Sequence, residues 1–271
     1  TASGYHTTIG GGWGNSASEG ATVGGGTNNM ALIYGSTIAG GTGNVTSGGD
    51  STIAGGSGNV TGGSFAFVGG GNNNQATGSA AAIGGGTGNN ASGMNATVAG
   101  GIENTAAGNY TFAAGARAKA NHQGAFVWGD STAANIASAA NNSVTFRASG
   151  GYRLFSNAAA TTGVSLAAGG GSWASLSDRN QKENLAPVDT QAVLYQVGRL
   201  PLSTWNYRSQ PDDIRHIGPM AQDFYAAFGV GENDTTITAL DGDGVSLAAI
   251  QALYERVVAL EARVAELEAA P

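Results

Sequence analysis

A serine and a lysine five positions apart form the only pair in this chain whose types and spacing suggest covalent chemistry. They are Ser177 and Lys182, in the stretch Ser177-Asp178-Arg179-Asn180-Gln181-Lys182. A serine hydroxyl becomes a nucleophile when a base takes its proton, and a lysine can be that base if burial lowers its pKa toward neutrality. Five positions place the two side chains on different faces of a helix, so a turn must bring them together. Pairs with this spacing are common, so by itself the pair is better explained as two surface residues.

The composition limits the classes of function. Of 271 residues, 47 are glycine and only 11% are charged. The net charge of −7 argues against nucleic acid as a partner, and the absence of cysteine excludes disulfides and thiolate metal sites. No apolar run approaches the roughly 18 residues that span a membrane. We predict no cofactor and no metal, because the acidic residues of the first half are scattered and form no calcium-binding repeat: Glu19, Asp50, Glu103 and Asp130.

The first half of the chain is a repeat. An aliphatic residue followed by a small triplet recurs at steps of 14 or 15 residues: Ile9, Val23, Ile38, Ile53, Val68, Ile83 and Val98, with degenerate copies at Phe112 and Val127. Six positions after each of the first seven aliphatics stands an asparagine: Asn15, Asn29, Asn44, Asn59, Asn74, Asn89 and Asn104. A register kept this well predicts ordered coils and argues against a disordered or silk-like tract.

Each repeat predicts one coil of a parallel β-roll or solenoid, with two short strands and two turns. In Ser51-Thr52-Ile53 the period of two points Ile53 inward and Thr52 outward. The repeated asparagine suits a left-handed or Asx-turn position, and stacked copies could form a hydrogen-bonded ladder. One coil buries about one aliphatic side chain, about 1.5–3 kcal/mol, against backbone entropy of about 1–2 kcal/mol per residue. We therefore expect several chains to associate along the stack.

Over residues 1–130 these repeats resemble the head of YadA-like trimeric autotransporter adhesins. The resemblance lies in the period and in the Ile/Val-Gly-Gly pattern, and it implies a homotrimer built on a left-handed β-roll. The frequent third glycine and the 15-residue step depart from that pattern.

Residues 131–172 form a connecting β segment. Two alternating runs, Ser143–Arg147 and Tyr152–Phe155, flank Gly150-Gly151 and predict a hairpin. Val164–Leu166 is a third candidate strand, and three glycines at 169–171 predict a flexible joint. Trp173 is interpreted as core packing in preference to an anchor.

Residues 173–271 resemble the peptidase S74 family, the C-terminal intramolecular chaperones of phage tail spikes, tail fibres and related bacterial proteins. Four segments carry the resemblance in order: Leu176–Leu185, Pro201–Tyr207, His216–Asp223 and Asp241–Leu247. The resemblance implies a Ser-Lys dyad that cuts its own backbone after trimerisation, with Ser177 as nucleophile and Lys182 as general base. Asp178, His216 and Gln222 could support the site, and a purely structural hydrogen-bonding role is as good an interpretation for these three.

Local signals predict the elements of this C-terminal part. Helices are expected over Thr190–Gly198, capped by Asp189, and over Gln222–Phe228, and a third from Val245 to the end of the chain. Strands are expected near Leu202–Tyr207 and Thr235–Ala239.

The last helix carries a heptad stripe over 246–270. Its a and d positions are Ile250, Leu253, Val257, Leu260, Val264 and Leu267. Arg256 and Arg263 fall at g, with Glu261 and Glu268 at the following e, which suits interchain pairing. β-branched a with leucine d favours dimers, so the trimer rests on the roll and the resemblance. The alternative is a stripe that packs on its own domain.

Together these features predict a mainly β chain: a trimeric solenoid, then a small α+β chaperone domain with a coiled-coil helix. The predicted function is a phage tail fibre on a virion or an adhesin on a bacterial outer surface, which binds a receptor such as a glycan through the repeats and cuts itself at Ser177. The alternative is a structural or adhesive trimer that does not cleave and keeps its chaperone as a cap. A carbohydrate-degrading spike lacks support, because the repeats contain no paired carboxylates.

Overall fold

The computed structural model describes residues 1–18 and 20–270, so Glu19 lies outside the described residues. The chain divides into two compact units. The first comprises Thr1–Arg153 and Ser165–Trp173, and the second comprises Leu154–Val164 with the chain from Ala174 onward.

The first unit is a parallel β-solenoid of about nine coils. Odd-numbered strands form a ten-stranded sheet and even-numbered strands form a nine-stranded sheet. In chain order the strands are β1 Thr8–Ile9, β2 Ser16–Ala17, β3 Thr22–Val23, β4 Met30–Ala31, β5 Thr37–Ile38, β6 Val45–Thr46, β7 Thr52–Ile53, β8 Val60–Thr61, β9 Phe67–Val68, β10 Gln75–Ala76, β11 Ala82–Ile83, β12 Asn90–Ala91, β13 Thr97–Ile102, β14 Thr105–Ala106, β15 Phe112–Ala116, β16 Ala118–Ala120, β17 Phe126–Gly129, β18 Ile136–Ala137 and β19 Val144–Arg147.

The interior of the solenoid is narrow. In the ten-stranded sheet Ile53 lies in register between Ile38 and Val68, and all three are fully buried, as the period of two predicts. The opposite sheet faces them with small side chains such as Ala17, Ala31, Thr46, Thr61 and Ala76. Each coil therefore buries about one aliphatic side chain against small partners, which confirms the predicted coil. We number the coils by these core residues, so that coil 1 contains Ile9 and coil 3 contains Ile38.

The repeated asparagines form a buried ladder. Asn59 donates from Nδ2 to the carbonyl oxygens of Gly55 and Gly71, each at 3.0 Å. Its Oδ1 accepts from the backbone N–H of Asn74 at 3.0 Å, and its own N–H donates to Asn44 Oδ1 at 3.0 Å. The predicted ladder is confirmed. Of the two conformations predicted for the asparagines, the left-handed one is wrong, because the residue before each asparagine is the left-handed one: Gly14, Asn28, Gly43, Gly58, Asn73, Gly88 and Glu103.

The third glycine of the triplet has a steric cause. Gly56 has φ +87°, and a Cβ added there would lie 2.2 Å from the carbonyl oxygen of Gly71 and 2.7 Å from Asn59 Nδ2. Gly55, the preceding residue, would place a Cβ in open space. Only glycine therefore fits the third position, where the coils approach closely and the backbone is left-handed.

The solenoid sheets extend beyond residue 130. β19 pairs in parallel with β17, so the hairpin predicted across Gly150-Gly151 is wrong. The N–H of Ser149 donates to Asp130 Oδ2 at 2.7 Å, and Arg147 Nε donates to Asp130 Oδ1 at 2.8 Å. These bonds hold the pKa of Asp130 well below its usual range. They fix β19 beside β17, which leaves β20 Tyr152–Phe155 to a separate three-stranded sheet with β21 Gly163–Leu166 and β22 Ala174–Ser175.

The second unit is a small α+β domain. After a 3₁₀ turn at Arg179–Gln181 it contains α1 Thr190–Val197, the antiparallel pair β23 Ser203–Trp205 and β24 His216–Gly218, α2 Ala221–Phe228 and α3 Ala239–Ala269. The predicted cap of α1 is confirmed, because Asp189 Oδ1 accepts from the N–H of Ala192 at 2.9 Å. The left-handed Gly229 ends α2, as expected.

Two predictions in this unit are wrong. Thr235–Ala239 forms no strand, and α3 begins at Ala239, ahead of the predicted Val245. Thr238 caps the helix: its Oγ1 accepts from the N–H of Asp241 at 3.1 Å. This cap carries the helix through Gly242 and Gly244, which the sequence pattern disfavours. In the described part of the chain, no helix combines the length and apolarity needed to cross a membrane.

Neighbouring glycines provide a test of the coil geometry. We expect Gly56→Ala to destabilise the solenoid by about 2–4 kcal/mol, because it adds backbone strain and a clash with the next coil. Gly55→Ala should change stability by less than about 0.5 kcal/mol. Chemical denaturation of both variants measures the difference, and equal shifts would contradict the close-approach explanation.

Candidate active site

A tight turn brings Ser177 and Lys182 together. Asp178 begins the turn, and its Oδ1 accepts from the backbone N–H and from the side-chain Nδ2 of Asn180, each at 3.0 Å. The N–H of Lys182 then donates to the carbonyl oxygen of Arg179 at 3.2 Å. The chain thereby reverses, and Lys182 Nζ donates to Ser177 Oγ at 2.6 Å. This is the turn that the five-residue spacing requires.

Both members of the pair are exposed to solvent in the single chain. The contact length lies within the range of proton transfer between a hydroxyl and a base. An ammonium group in water holds its proton, so catalysis by this pair needs surroundings that exclude water. Asp178 stabilises the turn, because its Oδ1 accepts two hydrogen bonds from Asn180.

His216 and Gln222 belong to other parts of the domain. His216 lies in β24, half-buried, with its ring centroid 4.8 Å from that of Trp205 and 5.7 Å from that of Tyr207. Its Nε2 is 3.0 Å from Gln210 Oε1. Gln222 is exposed in the first turn of α2. Among the hydrogen bonds of the described residues, none joins His216 or Gln222 to Ser177 or Lys182. No local sequence pattern predicts the aromatic cluster around His216, because Trp205 and Tyr207 meet it only through the pairing of β23 with β24.

One face of α3 packs on α1. Ala248, Ala249 and Ala252 are buried there, and the two helices are bridged by polar bonds. Gln191 of α1 donates from Nε2 to Glu255 Oε2 at 3.1 Å and accepts from Arg256 Nε at 3.0 Å. Small side chains thus allow close approach of the two helices.

The heptad stripe of α3 lies on a different face and is uncovered. Its six members are 50% to 65% exposed: Ile250, Leu253, Val257, Leu260, Val264 and Leu267. The alternative in which this stripe packs on its own domain is therefore wrong. Within the single chain Arg263 Nη1 pairs with Glu266 at 2.9 Å, at a helical spacing of three. The predicted pairing of Arg263 with Glu268 needs a second chain.

Comparison with known proteins adds one match. Residues 177–230 match the model of the family described as Peptidase S74, chaperone of endosialidase. The match begins at Ser177 and runs through α1, β23, β24 and α2. No curated protein matches the chain. The chain is thus a parallel β-solenoid followed by a segment similar to the chaperone-of-endosialidase family.

Proposed function

We propose that this chain is the subunit of a trimeric fibre or adhesin whose C-terminal part assembles three chains and cuts the backbone once at Ser177. The observation that carries the proposal is the 2.6 Å contact of Lys182 Nζ with Ser177 Oγ, at the start of the family match. The resemblance of the repeats to YadA-like heads stays a prediction, and the solenoid architecture is compatible with it.

The chemistry follows from the pair. A neutral Lys182 amine takes the proton of Ser177 Oγ as that oxygen attacks the carbonyl carbon of an adjacent peptide bond. The C–N bond breaks, Lys182 returns the proton to the departing backbone amine, and an ester on Ser177 remains. Water then hydrolyses the ester and frees the serine hydroxyl. The products are two polypeptides, one ending and one beginning at the cut.

Assembly of several chains would supply the water-free surroundings that the Ser177–Lys182 pair lacks in the single chain. The exposed stripe of α3 offers apolar surface to further copies, and it runs beside the face that α1 covers. We infer that assembly also shields the Ser177–Lys182 turn from water, because a lysine base requires surroundings that exclude water. Cleavage would then report assembly, because an isolated chain leaves the pair in solvent.

The chaperone role follows from the thin solenoid core. Coils that bury one aliphatic side chain each have a high nucleation cost, and the C-terminal part would lower it by holding three chains in register. After the cut, a kinetic barrier to unfolding keeps the fibre folded. Such a subunit works on a virion tail fibre or a bacterial outer surface and meets its receptor through the repeats. Nucleic acid is not its partner, given the net charge of −7.

A second candidate function is a trimer that does not cleave and keeps the C-terminal part as a cap. The solvent exposure of both Ser177 and Lys182 favours it. The two proposals agree on assembly and differ only in whether the backbone is cut.

The cut is tested on the full chain by denaturing gel and mass spectrometry. Wild type should yield two fragments that meet at Ser177, and Ser177→Ala should yield one uncut chain. Lys182→Gln should slow cleavage by about a hundredfold or more, because it removes the base. Ser175→Ala, a nearby exposed serine in β22, is the matched control and should cut normally. An uncut wild-type chain that is trimeric would favour the cap.

Variants of Asp178 test whether cleavage depends on the turn that this residue caps or on its negative charge. Asparagine can accept the same bonds at this position, so Asp178→Asn should cleave nearly as fast as wild type. Asp178→Ala removes the cap, worth about 1 kcal/mol, and should slow cleavage about fivefold. The cleavage rate is followed over time on the gel. Equal losses in both variants would assign Asp178 an electrostatic role.

Two adjacent valines test the assembly stripe. Val257 at position a and Val258 outside the stripe are 50% and 45% exposed, so either aspartate substitution affects the single chain alike. Val257→Asp should abolish trimers and cleavage, whereas Val258→Asp should preserve both. Light scattering measures the oligomeric state, and trimers of both variants would refute the stripe as the assembly surface.

A further inference from the structure

One edge of the solenoid carries large exposed side chains that its fold does not need. Each coil begins with a turn before the strand of the ten-stranded sheet, and these turns stack through backbone bonds. Asp50 N donates to Tyr34 O at 3.2 Å, and Tyr110 N donates to Met94 O at 2.9 Å. We call this row of turns the turn edge. Its large side chains are Tyr5, His6, Tyr34, Phe65, Met94 and Tyr110.

Four large side chains of the turn edge follow a spacing of two coils, and Tyr110 of coil 8 stands outside this spacing. Coils 1, 3, 5 and 7 present Tyr5, Tyr34, Phe65 and Met94, whereas coil 6 presents Ser79. The exposed fractions of the first three are 79%, 68% and 66%. Neighbouring strands lie about 4.8 Å apart, so large side chains recur about every 10 Å along the solenoid axis. The result is a row of three rings, Tyr5, Tyr34 and Phe65, that continues into Met94.

The Tyr34 ring is held in place by a glycine. A Cβ added to Gly20 would lie 2.4 Å from Cδ2 and 2.7 Å from Cε2 of Tyr34. The ring therefore lies directly against the Gly20 backbone and leaves its other face in solvent. A ring restrained in this way loses little freedom when a ligand stacks on it.

The backbone conformation at the turn edge gives an independent reason to expect a ligand. His6, Phe65 and Tyr110 adopt left-handed backbone, each with φ near +60°. At the same position coils 2, 3 and 9 have glycine, and coils 4, 6 and 7 have the smaller residues Asp50, Ala80 and Asn95. A bulky residue is strained there, and its exposed side chain gains no burial in return. Strain of this kind, kept at an exposed site, points to function.

The charge of the repeats indicates the chemistry of the ligand. Residues 1–116 contain no lysine or arginine, and their acidic residues are Glu19, Asp50 and Glu103. An anionic polymer would be repelled by such a surface. Aromatic rings two coils apart do not form the continuous apolar core of a protein interface. They suit the apolar faces of sugar rings, while Ser64, Ser79 and Asn95 can hydrogen-bond sugar hydroxyls.

We propose that the turn edge binds a neutral polysaccharide lying along the solenoid axis, with sugar rings stacked on Tyr5, Tyr34 and Phe65. This inference rests on the receptor-binding role in the proposed function, and it names the ligand class and the surface. Alternate sugars of an extended chain would meet successive rings, and those between them would lie over the intervening coils.

The test uses the full chain on an array of neutral and anionic glycans, followed by affinity measurement with the neutral glycan bound best. Wild type should bind neutral glycans, and Tyr34→Ala should weaken binding about tenfold. Phe65→Gly should also weaken binding while raising the thermal stability, because it relieves the left-handed strain. If Phe65 had a purely structural role, its replacement would not weaken glycan binding and raise the thermal stability at the same time. Trp13→Ala, which removes a 72% exposed ring outside the turn edge, is the control and should bind normally.

Several results would overturn the inference. Absence of binding to every neutral glycan, a preference for anionic glycans, or unchanged binding by Tyr34→Ala and Phe65→Gly would each do so. Loss of trimers in these two variants, with trimers kept in Trp13→Ala, would show instead that the turn edge joins copies of the chain. Cleavage at Ser177 is read in the same samples. Cleavage without glycan binding refutes this inference alone, and glycan binding without cleavage refutes only the self-cutting part of the proposed function.

Discussion

The buried asparagine amide is the interaction on which the solenoid depends. At each coil the close-packed glycine turns present carbonyl oxygens to a buried asparagine side chain. One amide supplies two donors to glycine carbonyls and one acceptor for the next asparagine N–H, as at Asn59. Every such side chain therefore ties its own coil to the next one. The ladder ends where Asn104 Oδ1 accepts from Ala118 N at 2.9 Å. Beyond it, longer strands and the stacked rings of Phe112 and Phe126, 4.6 Å apart, take over.

The asparagine ladder explains why the core of the solenoid has many hydrogen bonds but little buried apolar surface. The asparagine ladder fixes the register of the coils. It also holds them so close together that only glycine fits at the third position of the triplet. The hydrogen bonds of the ladder contribute little net free energy, because the same groups bond to water in the unfolded chain. The hydrophobic contribution is limited to one aliphatic side chain per coil. A chain with such a solenoid and an uncovered apolar stripe on α3 has the properties of one member of an assembly.

In the single chain the Ser177–Lys182 pair has the contact that proton transfer requires but not the water-free surroundings. A cap by Asp178 and a single 3₁₀ turn suffice to place the two side chains in contact, and these are local features of a few residues. The dry surroundings that a lysine base requires are not local, and in the single chain both groups face solvent. The proposed function therefore depends on contacts between chains, which the α3 stripe is suited to make.

The repeat by itself determined the coil length, the inward aliphatics and the asparagine ladder, because a strict period leaves only one way to stack the coils. The capped helices α1 and α2 and the need for a turn between Ser177 and Lys182 were also predictable, since their causes lie within a few residues. Only the tertiary structure decided the rest. β19 joins the solenoid because Asp130 and Arg147, distant in sequence, bond to each other, and α3 starts early because Thr238 caps it. The aromatic turn edge emerged only when stacking brought residues from alternate coils into one row, which no local pattern contains.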